Sequence, residues 1–159
     1  MKLPIFKNSK GFTLIELIVV IGMLTILFAI VLVAVNPGRQ FGSSRNTARQ
    51  NDIRAILNAI GQYAADNNGS LPPAVSALTA CAFPCGTATA ISNTGANLCP
   101  VLTTNYLSAL PQDPSSNSGA PITSCTTYNT GYTVSRDASN RVSVYAPTTD
   151  NGATINITR

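Results

Sequence analysis

The chain has 159 residues, ten of them Lys or Arg, six Asp or Glu and none His, for a formal net charge of +4. That length suits one long element plus one small domain and excludes two independent cores. The six acids are scattered, no glycine loop of phosphate-cradling spacing occurs and no base adjoins a cysteine, so we expect neither an enzyme nor a bound cofactor.

Residues 1–11 form a basic segment, with Lys2, Lys7 and Lys10, that ends in Gly11. A 24-residue apolar run follows from Phe12 to Val35, interrupted by a single charge, Glu16. As α-helix it measures about 36 Å, enough to cross a hydrocarbon core of ~30 Å. The lysines before it predict a cytoplasmic N-terminus and an exported remainder, by the positive-inside rule. An ionised carboxylate deep in hydrocarbon costs roughly 2.5–3.5 kcal/mol, so Glu16 is a functional candidate by default. An ordinary signal peptide fits poorly: the run is too long, carries an acid near its start and lacks an Ala-x-Ala site before Asn36. Without residues 1–11, seven arginines face six acids, a formal +1. The overall basicity is therefore a weak argument for nucleic-acid binding. Arg136, Arg141 and Arg159 are the candidates for a DNA contact, and dispersed arginines are more often a solvated surface.

Asn36-Pro37-Gly38 predicts a break where the chain leaves the membrane. Gly42-Ser43-Ser44 extends the breaker zone, with either serine placed to cap a new helix. From about Ser44 to Asn67 the apolar residues Ile53, Ile56, Leu57, Ile60 and Ala64 recur on one helical face. Arg45, Arg49, Asp52, Arg54 and Asp66 fall mostly off that stripe, which is expected to pack on the core of the same domain. Asn67-Asn68-Gly69 and then Pro72-Pro73 end the helix.

Residues 70–127 are loop-rich, with a short helix expected between about Thr94 and Leu110. Tyr132 and Val134, then Val142 and Val144, alternate with polar residues across Gly131–Arg136 and Arg141–Ala146. Asp137-Ala138-Ser139-Asn140 supplies the turn of that hairpin. Residues 154–158 and 122–128 are candidates for further strands. The expected fold is α+β: a long N-terminal helix, half membrane-spanning and half amphipathic, packed on a small antiparallel sheet. The expected organisation is a leader over residues 1–11, a membrane helix over 12–35, a break and amphipathic helix over 36–69, and a head over 70–159.

Four cysteines, Cys81, Cys85, Cys99 and Cys125, all lie in the part expected to be exported, where an even count reads as two disulfides. Three pairings satisfy the count. Cys81–Cys85 with Cys99–Cys125 is favoured, and the sequence alone does not choose among them. Tetrathiolate zinc is the rival, weakened by the loose C-x3-C spacing and the absence of histidine.

The string Lys10-Gly11-Phe12-Thr13-Leu14-Ile15-Glu16-Leu17 resembles the type III signal of type IV pilins and the related secretion pseudopilins. The resemblance implies that a membrane prepilin peptidase cuts between Gly11 and Phe12 and methylates the Phe12 amine. It places Glu16 at the family's acidic assembly position, and implies a pilin-like fold polymerised through its N-terminal helix. Self-association into a helical homopolymer, an inner-membrane assembly machine and lipid before assembly are the implied partners. The implied destination is an extracellular filament or an envelope-bound pseudopilus of a type II secretion-like or DNA-uptake system. Many members carry a helix-bending proline two-thirds along this helix; here Val33 stands in that region and Pro37 is the first proline after the run. Tyr106-Leu107-Ser108-Ala109-Leu110-Pro111-Gln112-Asp113-Pro114 is similar to the Y-L-x-x-L-P-x-D-P pattern of major pseudopilins and some Gram-positive-type pilins. Heads of that type can bind calcium through loop oxygens. Here Asp113 alone matches well and Ser115-Ser116-Asn117-Ser118 offers few hard ligands, so no metal is expected.

Overall fold

The computed structural model describes residues 11–34, 36–82 and 85–159. The leader lysines Lys2, Lys7 and Lys10 lie outside the described residues. The chain divides into two units, Met1–Gln40 and Phe41–Arg159.

In the first unit, helix α1 spans Leu14–Ala34 and none of its 21 residues is buried. An 18-residue window has mean hydropathy 3.2, so α1 is long and apolar enough to cross a membrane. Helix α2 spans Pro37–Asp66. The sequence placed its start near Ser44, beyond a breaker zone, whereas the helix begins at Pro37 and runs through Gly42-Ser43-Ser44. Proline suits the first helical position, where its missing N–H would have no partner within the helix. Asn36 caps the turn by accepting from the Arg39 N–H through its side chain (3.3 Å) and its backbone carbonyl (3.1 Å). Gly42 serves close packing rather than a break: a Cβ there would lie 2.8 Å from Asn151 Nδ2 and 3.0 Å from Asp150 Cβ.

The expected stripe is real. Ile53, Ile56, Leu57 and Ile60 are all buried on α2 and join one core cluster with the sheet. The helix stops through a left-handed Gly69 (φ +83), whose N–H bonds the Ala64 carbonyl at 2.8 Å. That wrap satisfies a carbonyl the helix would otherwise leave open. A short helix α3, Pro73–Ser76, follows and buries Val75.

The sheet has four antiparallel strands in the order β1-β2-β3-β4: Thr89–Ser92, Asn129–Arg136, Val142–Ala146 and Ile155–Thr158. Register in the predicted hairpin runs from Arg136↔Val142 to Thr133↔Tyr145. Asp137 closes its turn by accepting from the Ser139 and Arg141 N–H groups at 2.8 Å each. Tyr132, Val134, Val142, Val144, Ala146 and Ile155 meet the α2 stripe.

Two expectations are corrected. The extra strand comes from Thr89–Ser92, not from residues 122–128, where Ile122 makes only an isolated bridge to Leu110. The helix expected from Thr94 to Leu110 is reduced to α4, Cys99–Asn105, with Pro100 in its first turn. Residues 93–97 instead fold back on β1, and the Ala96 N–H bonds the Ala90 carbonyl at 2.9 Å. Cys81 is disulfide-bonded to Cys85 and Cys99 to Cys125, leaving no free cysteine.

Candidate processing and assembly site

The start of α1 is built by Thr13 and Glu16. Thr13 Oγ1 accepts from the Glu16 N–H at 3.3 Å, while a Glu16 carboxylate oxygen accepts from the Thr13 N–H at 2.9 Å and the Thr13 hydroxyl at 2.8 Å. This reciprocal pair is a capping box: each side chain satisfies a backbone donor that the first helical turn leaves open. A carboxylate there also meets the positive end of the helix dipole. The consequence is directional. Glu16 turns back toward the N-terminal end of α1, to the side that carries Phe12 and Gly11. Gly11 is exposed, with no atom within 4 Å of the position a Cβ would take, and Phe12 is 86% exposed. Thr13 is the residue that sequence reasoning missed at this site. The pattern of a threonine three residues before a glutamate was there to be read.

A second charged centre lies in the head. Arg49 was expected off the apolar stripe but is only 1% exposed. It sits one turn before Ile53 and so continues the stripe. Its guanidinium donates to both Asp113 oxygens (2.8 and 3.1 Å), to Asp150 (2.6 Å), to Ser115 Oγ (2.6 Å) and to Asn46 Oδ1 (2.9 Å). Arg45 donates to both Asp150 oxygens, to the Oδ2 shared with Arg49 at 3.0 Å and to Oδ1 at 2.5 Å. Burial pushes the Asp113 carboxyl up, but hydrogen bonds from Arg49 and the Ser115 N–H outweigh it and hold the group below the ordinary carboxylate range. Arg45 first and Arg49 second hold Asp150 well below that range. Asp52 goes the other way: burial raises it against a 2.6 Å hydrogen bond from the Tyr132 hydroxyl. This arrangement locks loops to a helix.

The remaining candidates are placed plainly. Asp113, the residue nearest to a calcium ligand in the sequence, gives its carboxylate to Arg49. Among the described residues no group of three or more His, Cys, Asp or Glu is positioned to hold a metal. Arg136 donates to Asn140 and the Leu78 carbonyl, Arg141 to Asp137 and Arg159 to Asn58.

Residues 6–32 match the family described as the prokaryotic N-terminal methylation motif. This is the signal motif of type IV pilins and pseudopilins, and it points to a pilin-type structural subunit, processed by prepilin peptidase and assembled into a filament. No curated protein and no solved structure matches the chain.

Proposed function

We propose that this chain is the structural subunit of a type IV pilus-like filament. It enters the cytoplasmic membrane as a single-span precursor with the head outside. It is then cut between Gly11 and Phe12, N-methylated on Phe12 and polymerised through α1. One observation carries the reading: the methylation motif opens a helix of which no residue is buried by its own chain. Such a surface needs lipid before assembly and other copies after it. Cleavage would create a cationic amine on Phe12, and methylation keeps its charge. The capping box aims Glu16 at that end of the helix, so the amine of one subunit and Glu16 of another can neutralise each other. Only one axial offset does so, which sets register. Between helices in lipid the hydrophobic drive is largely absent, so packing and this ion pair weigh more and an assembly machine is required for extraction.

A pseudopilin of a type II secretion-like or DNA-uptake system is the second reading, favoured by the Tyr106–Pro114 segment. Mass spectrometry of material sheared from native cells, run beside the membrane fraction without reductant, separates them. A sheared species beginning at N-methyl-Phe12, lighter by four hydrogens for the two disulfides, supports the surface filament. Processed protein confined to the membrane supports the pseudopilin. A chain still beginning at Met1 in both fractions refutes both.

A further inference from the structure

Gly61 stands in the interior of α2, where glycine is the poorest helix former after proline. The fold gives no reason for it: a Cβ at Gly61 would meet nothing within 4 Å. The space beside it is an apolar groove of about 270 Å³, with Gly61 and Ala64 on one wall and Leu71 and Val142 on the other. Arg159 stands at its rim, held by a 2.6 Å bond from its guanidinium to Asn58 Oδ1. The same unit carries a matching projection. Phe41 is a large hydrophobic of this second unit and is 66% exposed.

Phe41 and Gly61 share one helix, which fixes their relation. Twenty positions at ~1.5 Å and ~100° each separate them by about 30 Å along α2 and about 200° around it. The projection and the groove therefore lie on opposite flanks of the helix. A feature on one flank and its complement on the other cannot meet within one copy, nor form a closed self-complementary pair; repeated, they build a ring if the rotation closes and an open helical polymer if it does not.

We propose that Phe41 of one subunit seats in the groove beside Gly61 of a neighbouring copy, displaced by about 30 Å along α2. The groove has room for a phenyl ring, the missing Cβ opens its mouth, and the rim guanidinium suits an aromatic face. This contact rests on the filament reading and deepens it. It reaches a different neighbour from the Glu16–Phe12 pair, whose offset is about one helical turn.

The test uses the full chain in a host with an assembly machine. Filaments carrying both Ser44→Cys, one turn from Phe41, and Ala64→Cys, on the groove wall, keep Phe41 and Gly61 intact and should give, on oxidation, a ladder of covalent multimers that collapses with reductant; either single variant should stay monomeric. Gly61→Leu fills the groove from open space and removes a poor helix former, so its thermal unfolding in detergent should match or exceed the parent, while sheared filament falls at least tenfold and Phe12-ended subunit accumulates in the membrane. Phe41→Ala should lose filament in the same way. Parent-like filament yields from Gly61→Leu and Phe41→Ala, or double-cysteine filaments that stay monomeric, overturn the contact alone. Unmodified chain that yields no sheared polymer sinks the filament reading and the contact with it.

Discussion

Replacing Arg49 by methionine isolates the charged centre of the head. The guanidinium is 1% exposed and spans two loops, holding Asp113 (1% exposed) and Asp150 (23% exposed). Asp150 keeps Arg45 after the substitution, but Asp113 keeps only Ser115, through its N–H at 2.8 Å and its side chain. Truncating one partner of a buried pair leaves an uncompensated charge and costs about 3–5 kcal/mol. For a domain of this size that lowers Tm by on the order of 10–20 °C. The assay is thermal and urea unfolding of the full chain in detergent, without reductant, as a cycle of Arg49→Met, Asp113→Leu and the double variant. The double variant should recover most of the loss, because it buries apolar groups in place of two charges. The pH dependence supplies a sign. Asp113 in the parent titrates below its unfolded value of about 3.9, so its contribution is present above that pH and is lost as pH falls through the folded value. In Arg49→Met burial should instead raise Asp113 above 3.9. The variant should then lose stability as pH rises through the raised value, so its deficit against the parent narrows in acid. A single-variant cost under about 1 kcal/mol, or a deficit that does not narrow in acid, refutes the account.

Four further outcomes are expected. Replacing Cys99 and Cys125 by serine should cost about 3–4 kcal/mol, from a chain-entropy treatment of a 26-residue separation, and the Cys81–Cys85 pair, separated by four, nearer 2, both read by urea unfolding. Gly42→Ala should destabilise the head by about 1–2 kcal/mol, because the new methyl meets Asp150 and Asn151 and displaces their loop; parent-like stability would mean that loop is not seated there. Asp52→Asn should gain on the parent as pH rises from acid toward neutrality, because the raised folded pKa of Asp52 makes the parent lose stability as pH climbs through it. Glu16→Ala should still be cut after Gly11 yet yield no regular filament, judged by N-terminal mass and electron microscopy; unchanged subunit stagger would remove Glu16 from any role in register.

What could be read in advance was what local chemistry determines. The Gly11–Leu17 motif is contiguous, and the stripe Ile53–Ile60 and the hairpin about Asp137–Asn140 are periodic signals over short windows. The centre at Arg49 escaped because its partners lie 64 and 101 positions away. An arginine one turn before a buried stripe reads as a flank until an acid arrives opposite it. The strand Thr89–Ser92 is four residues at a sheet edge, too short for alternation to speak, while residues 122–128 looked more strand-like and found only a single bridge. In the sequence Pro37 reads as the end of one helix, and in the fold it opens the next, an ambiguity that proline carries wherever a donor is already spare.

The margins of the sheet bear on how such heads tolerate crowding. An open strand edge is a template on which another chain can add, and a polymer sets many identical edges side by side. Here β1 shifts register between Ala90 and Ser92, and its Ala90 carbonyl is already engaged by the returning Ala96 N–H. At the far side β4 is only four residues long, Ile155–Thr158. Neither margin offers a long flat ladder, so packed heads have little means of zipping into cross-β aggregates, and order in the array is left to the helices.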